Sequence, residues 1–361
     1  MGINGRDAVK NIISYLVESY NLTIENIDKF SISYENDVDN FEMFKQWRKS
    51  GEIIAGQSIS YEIKYSLLSF EEKKYLILEN YNSNLNMNFL EEVELNLGMF
   101  IFLFKDKNFF PKLNDSITQD EVVDLLDIID EEYKFHDFNI IKTLFTTIRV
   151  FKISDDCPFY FDEENMESSV NRVLSLIFVY EHRQRKFSYL HDNTLDAYEK
   201  VILTDINHFP YESILASLID NKPNRVFLEI YRIIEKLYPY VMINEFKEKL
   251  LSDNEKLNLD VFSLQEGLKS IQWKHKEEES INRLFSKDYV QKTEKIKNLI
   301  KETSENGINL GTWVYRIRNS IVHLSLKEST KDIDVKNVLQ TDEVIEWIIP
   351  MLPNMYLYCF N

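Results

Sequence analysis

From about Asn165 onward, apolar residues recur at three- and four-residue spacing in eight stretches, with chain breakers in several of the gaps. The stretches cover 170–185, 195–205, 211–219, 224–238, 264–273, 288–304, 310–326 and 341–356. Pro210, Asn221-Lys222-Pro223, Pro239 and Asn306-Gly307 separate them, as helix stops and starts should. Few folds satisfy such punctuation. Each short amphipathic helix must bury its apolar stripe against its neighbours, and the last helices have the number and lengths of a four- to five-helix bundle.

The N-terminal third carries different signals. Ile12, Ile13, Leu16 and Val17 give helical spacing over 7–20, whereas 58–65 alternates and is rich in β-formers. A turn at 70–73 leading into 74–78 reads as a hairpin. The apolar run 99–104 fits a buried strand or a helix segment equally, and 120–132 reads as a helix with Val122, Val123, Leu125, Leu126, Ile128 and Ile129 on a broad stripe. The expected fold is therefore mainly α, a C-terminal helical bundle preceded by a mixed α+β N-terminal domain. The boundary is expected at 164/165 and the heart of the bundle at 222–361.

A chain of 361 residues, 44% hydrophobic and 13% aromatic, can bury a substantial core and suits two domains better than one. Its two cysteines, Cys157 and Cys359, form no CxxC pair, so neither a disulfide framework nor a cysteine zinc site is expected, and a reducing cytoplasm is the expected compartment. The N-terminus lacks the unbroken apolar core of a signal peptide. No stretch approaches the roughly 18 apolar residues of a membrane span, so no membrane partner is expected. There is no phosphate-cradling glycine loop, no HExxH and no GxSxG, which leaves no cofactor to expect.

Charge divides the chain. Residues 1–220 carry the whole net charge of −18 and residues 221–361 sum to zero. An acidic first part repels nucleic acid and suits a sensor or regulatory role, docking a trigger from phage or host. Within the neutral part, residues 286–327 hold eight basic side chains against four acidic ones, a local +4. Ordinary Lys/Glu pairing on a solvated helix face is the competing account of the 287–301 run.

Inside that basic region the stretch GTWVYRIRNSIVHLSL places Arg318, Asn319 and His323 on one expected helix. Leu310, Val314, Ile317, Ile321 and Leu324 fall on one face and form its expected core side. The opposite side interleaves Tyr315, Val322 and Leu326 with the polar residues, and a half-apolar second face implies packing on another helix or subunit. Arg318 and His323 are five residues apart, so they point roughly 140° away from each other on an ideal helix. Pairing the same helix from two subunits would bring two Arg and two His into one groove.

RNA supplies its own nucleophile in the 2′-hydroxyl. A His titrates near neutral pH and can act as base and acid, while an Arg, always charged, can hold two phosphate oxygens. Asn319 can orient a partner by hydrogen bonding. The expected chemistry needs no metal and yields a 2′,3′-cyclic phosphate and a 5′-hydroxyl. Arg316, Lys327, Lys297 and Lys301 are the expected further RNA contacts.

The segment resembles the signature of HEPN-domain ribonucleases, an Arg followed by a polar residue and, four to six positions further on, a His near the start of a late bundle helix; four residues intervene here. The resemblance covers 222–361 and extends towards 165. It implies a cytoplasmic endoribonuclease with a composite site in a homodimer, of the kind that serves as a toxin in antiviral defence. It also implies that an acidic residue of an early helix approaches the site, with Glu229 and Glu235 as candidates. Ser325 stands where partner-silenced members carry a Tyr, which argues against that mode of control. The reading from another class is a non-catalytic HEPN module that binds RNA or protein through the same helix.

Other clusters are weaker. Glu62-Ile63-Lys64 with Glu52 has the composition of a metal-dependent nuclease, but charges alternating on a strand's solvent face account for it better. His136, His182, His191, His208 and His275 form no metal-spaced pair and read as structural or surface groups. Arg183-Gln184-Arg185-Lys186 could touch RNA or simply end a helix.

Overall fold

The computed structural model describes residues 5–22, 30–33, 46–47, 50–58, 63–104, 110–126, 134–185, 188–251, 261–270, 276–290, 293–303, 309–322 and 333–360. Helix makes up 59% of it and strand 12%, so the protein is mainly helical with a small antiparallel sheet. It forms two compact units, Met1–Cys157 and Pro158–Asn361, which moves the expected boundary from 164/165 to the Cys157–Pro158 step.

The first unit mixes α1 (Gly5–Ser19), α2 (Leu97–Leu103), α3 (Gln119–Leu126) and α4 (Phe138–Thr143) with a sheet. Strands β2 (Glu52–Ser58), β3 (Lys64–Phe70), β4 (Lys73–Glu79), β5 (Leu90–Val93) and β7 (Ile148–Ile153) lie in the order β2-β3-β4-β7-β5, every pair antiparallel. A separate parallel pair joins β1 (Phe30–Ser33) to β6 (Lys134–Asp137). The apolar run at 99–104, undecided from sequence, is helical: Asn96 Oδ1 accepts from Met99 N–H at 2.9 Å, and all of α2 is buried. Its Phe100 and Phe104 pack with Ile12, Ile13, Leu16, Phe138 and Val150, while Trp47 stacks on Phe70 with ring centroids 4.4 Å apart.

The expected hairpin exists but is displaced. Its strands are β3 and β4, and Phe70 pairs with Lys73 across a two-residue turn. Both turn residues, Glu71 and Glu72, have positive φ, 48° and 64°, in a place where Asn-Gly would be the strong sequence signal. Without that signal the strand limits were not legible.

The second unit contains α5 (Met166–Gln184), α6 (Asp192–Leu203), α7 (Tyr211–Ile219), α8 (Pro223–Glu235), α9 (Tyr238–Leu251), α10 (Val261–Ser270), α11 (Glu277–Leu284), α12 (Glu294–Thr303), α13 (Leu310–Val322), α14 (Val335–Val338), α15 (Glu343–Ile348) and α16 (Leu352–Phe360). A short 3-10 segment, Ile349–Met351, joins the last two. Three of these helices, α9, α11 and α14, fall outside the expected stretches. Pro239 opens α9 instead of separating helices, because a first-turn residue has no intrahelical partner for an N–H. The acidic run Glu277, Glu278 and Glu279 begins α11, where carboxylates oppose the positive end of the helix dipole. α8 lies against α11, α13 and α16, and α11 against α9 and α13, so the motif helix sits inside this group.

The Arg183–Lys186 cluster is committed to structure where it is described. Arg183 bridges Asp196 at 2.6 Å and Glu199 at 2.7 Å, and Arg185 lies 3.8 Å from Glu181. Lys186 lies outside the described residues. His182 is buried, with Nδ1 2.7 Å from Ser188 Oγ and Nε2 2.6 Å from the Leu218 carbonyl, and burial lowers its pKa. His191 Nδ1 meets the buried Asp342 carboxylate at 2.6 Å. His136 lies on β6 and His208 at the exposed surface, while His275 falls outside the described residues.

Candidate functional site

α13 starts where Asn309 Oδ1 accepts from Thr312 N–H at 2.8 Å, an N-cap that sets the phase of every later side chain. Its buried residues are Gly311, Trp313, Val314 and Ile317. Leu310 and Ile321, expected on the core face, are only half-buried, and Leu324 lies outside the described residues. The centre of the expected face is buried, with Val314 and Ile317 fully enclosed, and two residues off its axis, Gly311 and Trp313, widen the contact. Trp313 lies edge-on to Trp347 of α15 with centroids 6.5 Å apart, and Gly311 lets α13 approach α11 closely.

A Cβ on Gly311 would stand 2.4 Å from Asn282 Oδ1 and 2.7 Å from Asn282 Cα, so the backbone itself is in the way. Gly311→Ala is therefore expected to destabilise the protein by about 1–3 kcal/mol through overpacking, despite the roughly 1 kcal/mol that Ala gains over Gly in a helix. Urea denaturation checks this through a lower midpoint with unchanged slope. An equal or higher midpoint would show that the two helices separate freely.

Arg318 leaves α13 towards α8. Its Nη1 donates to Asn319 Oδ1 at 2.9 Å, its Nη2 lies 3.8 Å from Glu235 Oε1, and its Cζ stands 5.8 Å from the centre of the Tyr231 ring. The side chain is 21% exposed, so it is not sealed from solvent. Of the two glutamates considered from sequence, Glu235 lies against Arg318 and Glu229 pairs with Arg232. Tyr231 and Glu235 are one turn apart on α8 and share a face, a juxtaposition that became readable only once α13 was packed there.

His323 lies outside the described residues, as do Leu326, Lys327 and Ser325. Among the described candidates, Tyr315 is half-buried and its hydroxyl points to Glu277 Oε2 of α11 at 3.5 Å. Its side chain therefore meets a helix of its own chain. Val322 is 47% exposed at the end of α13. Arg316 is part-exposed.

The lysines of the expected basic face largely have acidic neighbours. Lys297 pairs with Glu294 at 2.5 Å, and Lys295 reaches Glu343 at 3.3 Å and Glu346 at 3.5 Å. Lys287 lies 3.5 Å from Glu245. Lys301 is exposed on α12. The described basic residues are thus divided between a helix-to-helix tie, i,i+3 pairing and open surface.

The metal-nuclease composition does not assemble. Glu52 pairs with Ser69 and Lys64 with Ser58, so the two sit at opposite ends of the β2–β3 ladder, roughly 20 Å apart at strand rise. Glu62 lies outside the described residues. Nor is Lys64 on a solvent face: its Nζ donates to the Phe110 carbonyl at 2.9 Å and lies 3.9 Å from the buried Glu79. Among the described residues no group of three or more His, Cys, Asp or Glu could hold a metal ion, and no helix is long and apolar enough to cross a membrane.

Compared with known proteins, the chain matches no family model, no curated protein and no solved structure.

Proposed function

We propose that the protein is a metal-independent endoribonuclease of the HEPN type. Arg318 binds the scissile phosphate, Asn319 fixes Arg318, and His323 moves the proton of the 2′-hydroxyl. The observation that carries this reading is the Arg318 guanidinium: flanked by Asn319, Glu235 and Tyr231, still 21% exposed as a side chain, and set on the helix that precedes His323 in the chain. A second subunit would complete the groove, with Val322 and Leu326 at the contact. The acidic first unit would restrain or trigger the site in the cytoplasm, as in defence toxins that cut RNA after phage infection.

One observation favours the non-catalytic alternative. The lysines near the motif are mostly paired with acids, and Glu235 already stands beside Arg318. Such a helix could serve as a protein-binding face. Incubating RNA with wild-type and His323→Ala protein in EDTA separates the two. Cleavage by wild type alone, leaving 2′,3′-cyclic phosphate ends, is expected; loss of all cleavage in EDTA, or equal cleavage by both proteins, would refute the reading.

A further inference from the structure

We infer that Tyr231 is the positioning residue of the site, its ring the platform on which the Arg318 guanidinium rests and its hydroxyl anchored by Tyr238. The inference rests on the reading of Arg318 as the phosphate-binding group. It begins from the cost of using an arginine. That side chain carries about 2 kcal/mol of rotamer entropy, and it binds a phosphodiester well only if most of this is lost beforehand.

Three groups stand beside it here. Tyr231 lies beneath the guanidinium with Cζ 5.8 Å from the ring centre, Asn319 Oδ1 accepts from Nη1 at 2.9 Å, and Glu235 lies 3.8 Å from Nη2. Glu235 is part-exposed and Asn319 sits on the arginine's own helix, so only Tyr231 offers a fixed surface from the rest of the fold. The ring itself is held. Tyr231 is 2% exposed and hydrogen-bonds hydroxyl to hydroxyl with Tyr238, which is fully buried at the start of α9.

Burial raises the pKa of both hydroxyls, so the pair keeps its proton through neutral and mildly alkaline pH. Phe227 extends the same aromatic row, 6.2 Å from Tyr231. A cation over a buried ring is attracted to the ring face without using up its N–H donors. The substrate class that a restrained guanidinium suits is an RNA strand bound through its backbone.

A double-mutant cycle tests it, using a fully 2′-O-methylated RNA oligonucleotide, which binds but cannot be cut, and fluorescence anisotropy at one fixed salt concentration. Tyr231→Leu is expected to weaken binding by about 3- to 30-fold, and Tyr231→Phe, which keeps the ring, to retain most of it. In an Arg318→Ala background Tyr231→Leu should change nothing further. If Tyr231→Leu does not fold, Tyr238→Phe takes its place, with a smaller loss that also vanishes without Arg318. A loss of the same size in both backgrounds, or no loss in either, overturns the inference and leaves the site reading intact. Equal binding by wild type and Arg318→Ala overturns both.

Discussion

Arg318→Ala is expected to lower RNA cleavage by about 10²–10³-fold, the usual consequence of removing one preorganised donor from a developing oxyanion. The effect is expected in kcat more than in KM. The negative charge on the phosphoryl oxygens grows between the bound state and the transition state, and only contacts that strengthen along that path accelerate chemistry. The structure offers a specific reason to anticipate a large loss, because Asn319, Glu235 and Tyr231 already hold the guanidinium and little ordering remains to be done on binding. Arg318→Lys should recover little, since an ammonium cannot reproduce the planar fork or lie flat on a ring. Single-turnover kinetics with saturating protein provide the measurement. A variant that loses affinity but keeps its single-turnover rate would reduce Arg318 to a docking contact.

At pH 8 Glu79→Gln is expected to be more stable than the wild type by up to about 3 kcal/mol. Glu79 is 1% exposed at the end of β4; one carboxylate oxygen accepts from Lys112 N–H at 3.2 Å and the other has no hydrogen-bond partner among the described residues. Burial raises its pKa from 4.5 to about 7, a rise that Lys64 and the Lys112 N–H only partly offset. A folded chain that holds a proton more tightly than the unfolded one gains stability at low pH. That gain is complete below about 4.5 and is lost as the pH climbs through about 7.

Glutamine keeps the acceptor for Lys112 and removes the charge. Lys64 is not stranded by the change, since its Nζ already donates to the Phe110 carbonyl. Urea denaturation of both proteins from pH 4.5 to 8 gives the comparison. The stability difference should grow with pH, and a difference that stays flat across the range would show that Glu79 does not titrate in it.

Much of the local structure was legible in one dimension. The limits of α7, at Tyr211 and Ile219, coincide with the periodic stretch, because Pro210 opens it and the apolar spacing is unbroken. Tertiary contact overruled pattern elsewhere. Arg318 and Asn319 could be picked out as chemistry-bearing neighbours on a late helix, and the resemblance offered Glu229 and Glu235 without choosing between them, whereas Tyr231 and Tyr238 could not be joined to them, since more than seventy positions separate α8 from α13. The same holds for Lys64, whose alternating strand gave no hint of a buried carboxylate on the next strand.

By itself the sequence determined the mainly helical class, the helical character of the second unit, and the place of the Arg-Asn pair on its helix. These depend on residue type and short-range spacing, which act within a few turns of chain. Only the tertiary structure decided how closely α13 approaches α11, which glutamate meets Arg318, and where Glu79 loses its water. The physical reason is common to all three. Burial and ion pairing depend on what arrives from far along the chain, and close packing draws in residues off the periodic face, here Trp313 and Gly311, that short-range spacing does not single out.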